Sequence, residues 1–151
     1  MLKAHVVFAT ITGHNEDVAD IVTEGLEGLG VQTIETEISQ TDPEEFKDVD
    51  ICVVCAYTYN EGHLPEEGLD FYEDLQKLDL SKQTYGVAGS GDTFYKNYYN
   101  VAVDKFDHAF QLTNAKHGAA NVKINLEPDA KDIKTLDNFS KQLVNVAKKN
   151  K

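Results

Sequence analysis

One segment of the 151-residue chain, residues 10–16, combines residue types that can hold an organic phosphate. It offers the hydroxyls of Thr10 and Thr12 beside Gly13, just before a run with helical spacing. Hydroxyls, a close backbone approach at glycine and the free N–H groups of a helix start together form an anion site without a cationic side chain. A capped helix start alone would contain similar residues, so both interpretations stay open at this point. The segment lacks G-x-x-x-x-G-K-[ST] and G-x-G-x-x-G, which argues against a P-loop nucleotidase and a dinucleotide-binding fold.

Two further segments are aromatic. Residues 56–65 place Tyr59 before the turn-forming Asn60 and Gly62, and residues 89–99 are small and polar at first and then aromatic. A single tyrosine is more often an ordinary core or surface residue than a stacking group. Two aromatic segments that face a phosphate-binding segment instead predict a site for a planar, phosphorylated ligand.

The elements that must position these segments follow from the apolar pattern. Five strand-like runs are predicted at 3–9, 32–37, 51–57, 84–90 and 120–125. Helical patterns separate them at 15–30, 41–46, 66–78 and 98–113, and a last one follows at 129–148. This alternation predicts a parallel sheet with helices on both faces. Ligands of such sheets bind beyond the carboxyl ends of the strands, so segments that follow strands one, three and four are expected to meet.

The charge of the chain is strongly acidic and uneven. It carries 26 acidic residues against 14 basic ones, all of them lysine, for a net charge of −12. Both the acidity and the absence of arginine argue against binding nucleic acid. Residues 1–79 contain 19 acids and three lysines, net −16, whereas residues 80–151 contain seven acids and 11 lysines, net +4. This asymmetry either steers a basic partner or serves solubility alone, and the sequence leaves both open.

The length predicts one domain, and the apolar content predicts an ordinary globular core. No apolar run is long enough to cross a bilayer, and the apolar start is too short for a signal peptide, so we expect a cytoplasmic protein. Cys52 and Cys55 lie three residues apart in a predicted strand, where side chains point to opposite faces. We therefore expect both thiols to pack in the core and not to form a redox pair.

The order and spacing of the three segments resemble those of short-chain flavodoxins over essentially the whole chain. Residues 10–15, Thr-Ile-Thr-Gly-His-Asn, resemble the phosphate signature of that family, with Asn15 in the place of its last threonine. Residues 89–95, Gly-Ser-Gly-Asp-Thr-Phe-Tyr, resemble its Gly-Asp-x-x-Tyr segment, and Tyr59 takes the place of an inner ring that is often tryptophan. The absence of a long insertion in the fifth strand indicates the short-chain subclass.

This resemblance implies an α/β fold with a five-stranded parallel sheet in the order 2-1-3-4-5 and helices on both faces, a flavodoxin-like three-layer sandwich over residues 1–151. It implies FMN as cofactor and a low-potential carrier of single electrons, with no substrate of its own, that meets a basic-faced reductase and acceptor proteins transiently. We expect a monomer with no membrane or nucleic-acid partner, no catalytic residue and no metal site. The residues that the resemblance assigns to FMN are Thr10, Ile11, Thr12, Gly13, His14, Asn15, Thr58, Tyr59, Asn60, Glu61, Gly62, Ser90, Gly91, Asp92, Phe94 and Tyr95.

By the same resemblance, Tyr59 and Tyr95 enclose the flavin ring, and the carbonyl of the Asn60–Glu61 peptide turns toward its N5 upon reduction. Three alternatives stay open. One is a flavin enzyme on the same fold, such as a small FMN reductase or the activator of a ribonucleotide reductase, and another is a flavin-free binding module. A signalling receiver domain is disfavoured, because Thr10 and Tyr57 stand where that fold needs acids.

Overall fold

The computed structural model of the chain describes residues 2–9, 14–57, 68–91, 101–125 and 128–150, and of residues 14, 15, 57, 91 and 101 it describes the backbone only. The strands are β1 (Lys3–Phe8), β2 (Gln32–Glu37), β3 (Ile51–Tyr57), β4 (Thr84–Gly91), β5 (Lys116–His117) and β6 (Val122–Asn125). The α-helices are α1 (His14–Gly28), α2 (Leu69–Leu75), α3 (Val101–Leu112) and α4 (Ala130–Asn150). Short 3-10 helices cover Ile38–Gln40 and Pro43–Asp48.

All strand pairs of the sheet are parallel, and β2, β1, β3 and β4 follow one another in that order. Both β5 and β6 pair with β4, so that they share the fifth position of the sheet. The predicted order 2-1-3-4-5 is confirmed. β2 lies at one edge of the sheet.

The fifth strand is divided, which the single predicted strand at 120–125 did not include. The Gly118 N–H still donates to the Tyr85 carbonyl (2.9 Å), but the Asn121 side-chain amide donates to Asp107 of α3 (2.9 Å). The chain between β5 and β6 is thereby drawn toward α3 and leaves the edge of β4. A side-chain bond to a neighbouring helix thus interrupts the strand.

The helices cover both faces of the sheet, as predicted. α1 and α4 pack with one set of strand side chains, whereas α2, α3 and the Pro43–Asp48 helix pack with the other set. α1 ends in a Schellman motif: Val31 N–H donates to the Leu26 carbonyl, Gly30 N–H donates to Glu27, and Gly30 has a φ of +85°. Gly30 therefore closes the C-terminal end of α1.

Several predicted helix ends differ from the structure by one to three residues. α2 ends at Leu75, three residues before the predicted end at Leu78, because the chain there tightens into i→i+3 bonds. α4 continues two residues beyond its predicted end, since the Asn150 side chain donates to the Lys82 carbonyl (3.2 Å). The short helix predicted at 41–46 is a 3-10 helix whose capping box joins Asp42 and Glu45. Within the described residues, no helix is both long and apolar enough to cross a membrane.

Candidate functional site

The carboxyl ends of three adjacent strands meet at one edge of the sheet. Phe8 of β1 is paired with Cys55 of β3, and the Ala9 N–H extends this pairing by donating to the Cys55 carbonyl (3.0 Å). Tyr57, the last residue of β3, is paired with Ser90 near the end of β4. Adjacent strands lie about 4.8 Å apart, so these three ends span about 10 Å, the breadth of a fused three-ring system. Residues 10–13, 58–67 and 92–100 therefore all leave the sheet from one short stretch of its edge.

The first helix begins directly after the first of these segments. α1 starts at His14 and runs for 15 residues, with the exposed Glu16 and Asp17 in its first turn. The N–H groups of a first turn have no intrahelical acceptors, and the helix dipole adds partial positive charge there. This arrangement fits the phosphate of FMN, because N–H donors face the edge where the ring-sized span lies.

Four of the sixteen residues predicted to bind FMN lie within the described residues. The backbones of His14 and Asn15 form the start of α1, and Ser90 and Gly91 end β4. The Ser90 side chain is fully buried, so its hydroxyl is not exposed at this edge. These four residues belong to the ends of neighbouring elements, as the topology requires.

The other twelve predicted residues lie outside the described residues: Thr10, Ile11, Thr12, Gly13, Thr58, Tyr59, Asn60, Glu61, Gly62, Asp92, Phe94 and Tyr95. Their assignment to the cofactor, including the ring contacts of Tyr59 and Tyr95, stays a prediction. The described strands and helices determine only where the segments that contain these twelve residues begin and end.

A carboxyl group that the sequence analysis did not single out lies between α1 and β2. Thr23 Oγ1 donates to Glu35 Oε1 (2.6 Å), and the Glu35 carboxyl also shares a hydrogen bond with Asp20. Burial raises the pKa of Glu35 to about 7, and the hydrogen bond and negative charge of Asp20 add to this effect. The sequence signal that could have identified Glu35 is the two-residue alternation of β2, which places its side chain on the face of the sheet that a helix must cover.

The two cysteines are confirmed as core residues. Cys52 packs with the α2–α3 side of the sheet and Cys55 with the α1–α4 side, and both thiols are free and buried. Burial raises the pKa of each thiol well above its ordinary value, so neither forms a reactive thiolate. Among the described side chains, no three histidines, cysteines or carboxylates are grouped so that they can hold a metal ion.

Comparisons with known proteins match this architecture. The family model described as flavodoxin matches residues 6–136. The chain is 33% identical over 143 residues to a probable flavodoxin 2 of Bacillus subtilis, covering 94% of each protein. It is 58% identical to a solved short-chain flavodoxin associated with a bacterial microcompartment, with a TM-score of 0.96 over 97% of this chain and 99% of that one. The solved flavodoxin of Streptococcus pneumonia TIGR4 is 43% identical, with a TM-score of 0.93 over 95% and 99%.

The family match covers most of the chain, and the chain is similar in structure to solved flavodoxins over nearly their full length. The start of α1 and the ring-sized span beside it suit a planar cofactor with a phosphate. The resemblance found in the sequence is thereby confirmed, and the chain belongs to the flavodoxin family, the small FMN-binding carriers of electrons.

Proposed function

We propose that this chain, as a single domain, carries single electrons at low potential from a reductase to acceptor proteins, with FMN at the carboxyl edge of β1, β3 and β4. The observation that carries the proposal is the shared edge at which these three adjacent strands end, beside the start of α1. FMN supplies the electron-transfer chemistry when it is bound. The protein binds it, orients it and sets the charge around it.

Each segment has a distinct task in this proposal. Thr10, Thr12 and Asn15 supply donors to the phosphate beside the first N–H groups of α1. Tyr59 and Tyr95 supply ring faces to the flavin. The remaining contacts are assigned to Ile11, Gly13, His14, Thr58, Asn60, Glu61, Gly62, Ser90, Gly91, Asp92 and Phe94.

Acidic groups near the same edge support a low potential and basic partners. Glu16 and Asp17 are exposed in the first turn of α1, and Asp70 is exposed in the first turn of α2. Negative charge near a flavin disfavours a further electron on it, which lowers the potential at which it is reduced. The same charge attracts a basic reductase surface in a transient encounter and repels an acidic one.

The binding test compares FMN with riboflavin, which lacks the phosphate. We expect Thr12→Val to weaken FMN binding about 10- to 100-fold, the value of one hydrogen bond to a charged group. Riboflavin binding should not change, because the lost hydroxyl serves the phosphate. Flavin fluorescence quenching measures both affinities. Thr135→Val, an exposed change on α4, is the matched control, and an equal loss for both flavins would contradict the phosphate assignment.

A second experiment separates a carrier from a flavin enzyme. Stepwise reduction of the FMN-loaded protein, followed by its visible spectrum, should resolve two one-electron steps. NADPH should not reduce the protein unaided, and reduction should begin only after a separate reductase is added. Rapid unaided oxidation of NADPH would contradict the carrier proposal. The cytoplasmic location and the monomeric state stay predictions.

Asn60 provides a test of how the chain tunes its cofactor. Asparagine enters left-handed backbone conformations less readily than glycine, so turning the Asn60–Glu61 carbonyl toward flavin N5 should cost more here than with glycine. We expect Asn60→Gly to raise the first reduction potential. Potentiometric titration measures it, and an unchanged value would exclude this role for the peptide.

A further inference from the structure

The outer face of α4 carries a column of cations. We use "lysine column" for five exposed lysines on this helix: Lys131, Lys134, Lys141, Lys148 and Lys149. Their spacing of three, seven and seven residues keeps them on one side of the helix, opposite the buried Leu136, Phe139 and Leu143. At 1.5 Å per residue the column is about 27 Å long.

None of the lysines of the column forms an ion pair within the part of the chain that the structure describes. The two ion pairs found there join Lys77 with Asp74 and Lys123 with Asp104, and neither includes a lysine of the column. Asp137, which lies beside Gly25 of α1, stands three residues after Lys134 and four before Lys141, and Asp129 lies near enough to Lys131 for their charges to interact. In a protein of net charge −12, five lysines and one aspartate thus leave this face with a local excess of positive charge.

The neighbouring helix restricts which partner can cover this face. α1 packs against α4 in the same layer, and its outer face carries the exposed Glu16, Asp20, Glu24 and Glu27. A membrane or a nucleic-acid duplex wide enough to cover both helices would meet these acids together with the lysines. A partner one helix wide can pair with α4 alone.

We propose that the lysine column is a docking surface for an acidic helix of a partner protein, separate from the edge where FMN binds. The complementary partner presents carboxylates every three or four residues, the same spacing that α1 shows on its own surface. A second copy of this chain is a poorer partner, because each copy brings a net charge of −12. The proposal does not depend on FMN, since no residue of the column is assigned to it.

The direction of α4 keeps such a partner clear of the redox site. The helix begins after β6, whose last residue Asn125 is paired with Gly91 at the carboxyl edge, and its last residue Asn150 contacts Lys82 before the start of β4. Most of the column therefore extends away from the edge of the strand ends. A carrier held along α4 can still present that edge to a basic reductase.

The test uses the full chain with FMN and a synthetic, fluorescently labelled helical peptide. Its glutamates recur every three and four residues on an alanine background, and a scrambled peptide has the same composition. Fluorescence anisotropy is measured at about 20 mM and about 150 mM salt, where screening differs strongly. We expect the patterned peptide to bind, and Lys134→Glu combined with Lys141→Glu to weaken it by about tenfold or more.

The matched control is Lys47→Glu combined with Lys77→Glu, which gives the same net charge from exposed positions on the other side of the sheet. It should change the affinity by less than about twofold. Equal losses in both variants, equal binding of the scrambled peptide or no binding at low salt would each overturn the proposal. Column-dependent binding to phosphatidylserine vesicles but not to the peptide would overturn it in favour of a membrane. A column-dependent dimer in sedimentation would overturn it in favour of self-association.

Discussion

The two sides of the sheet are packed with different types of side chain. The side that α2 and α3 cover, here the aromatic side, contains the buried rings of Phe46, Phe71, Phe106, Phe110 and Tyr85. The side that α1 and α4 cover, here the aliphatic side, is mostly valine, leucine, isoleucine and alanine, with Phe139 as the one fully packed ring among the described residues. One sheet thus separates two cores, one packed mainly by aromatic rings and the other mainly by aliphatic side chains.

The lengths of the helices explain this difference. α2 and α3 have seven and 12 residues, whereas α1 and α4 have 15 and 21. Short helices have few inward positions, and large rings give each position more buried area. Long helices have many inward positions and gain most by approaching closely, which small residues permit. The aromatic side should therefore be sensitive to loss of volume, and the aliphatic side to added volume.

Removing a ring from the aromatic side should have the largest effect. Phe46 is fully buried, and its ring centre lies 5.8 Å from those of Phe71 and Phe110 and 5.7 Å from that of His5. We expect Phe46→Ala to lower the free energy of unfolding by about 3–5 kcal/mol, measured by urea denaturation. The control Leu69→Ala removes a side chain that is 43% exposed and should cost far less. Similar losses in both variants would contradict the role of the ring cluster.

Adding a methyl group tests the aliphatic side. A Cβ at Gly86 would lie 2.7 Å from Phe139 Cζ and 2.9 Å from Leu143 Cδ2, so α4 or its side chains would have to move. We expect Gly86→Ala to destabilise the fold by about 1–3 kcal/mol. Gly28 in α1 has no atom within 4 Å of an added Cβ, and Gly28→Ala should stabilise by roughly 0.5–1 kcal/mol through helix propensity. Thermal unfolding of both variants measures the contrast, and a shift of the same sign in both would refute it.

Sequence patterns predicted this architecture well where each strand is covered on both faces. β1, β3 and β4 match their predicted runs within one residue, and the opposite directions of Cys52 and Cys55 follow from the two-residue period of a strand. The divided fifth strand was not predictable, because it depends on the Asn121 side chain reaching Asp107 on α3. Such a contact is fixed by tertiary structure and leaves no periodic signal.

The candidate site shows the same limit. Its place at the ends of strands one, three and four followed from the topology, and the structure confirms that these ends are adjacent. The Glu35 cluster was missed because Asp20 and Glu35 are 15 positions apart and meet only when α1 folds back onto β2. Sequence spacing identifies groups on one element far better than groups on two.

A smaller effect should come from an unpaired hydroxyl on the aliphatic side. Thr84 is fully buried, and its Oγ1 has no hydrogen-bond partner, which costs free energy in the folded state. Thr84→Val keeps the shape and removes the polar atom, so we expect a gain of about 1 kcal/mol. Urea denaturation measures the gain. Thr113→Val is the control. The Thr113 hydroxyl donates to the Phe110 carbonyl, so its removal should lower the free energy of unfolding. A loss of stability in the Thr84 variant would contradict the account.

The smallest effect expected on the aliphatic side depends on pH. The pKa of Glu35 is about 7 in the folded protein, above its ordinary value of 4.5, so the folded state holds this proton more tightly than the unfolded state. The stability that this proton supplies is complete below pH 4.5 and is lost as the pH rises through 7. Glu35→Gln keeps a neutral group there and should raise stability at pH 8 but not at pH 4.5. Because Glu35 is only half-buried, we expect a gain below about 1 kcal/mol at pH 8.

Thermal unfolding at the two pH values resolves this effect, since 1 kcal/mol shifts the Tm of a chain of this size by about 2–4 °C. Glu37→Gln, an exposed change on the same strand, is the matched control and should shift the Tm equally little at both pH values. A gain for Glu35→Gln that is the same at pH 4.5 and pH 8 would show that the carboxyl shape, and not its proton, determines the effect. A gain confined to pH 8 would show that a group on the aliphatic side, between α1 and β2, titrates near neutral pH and contributes to stability.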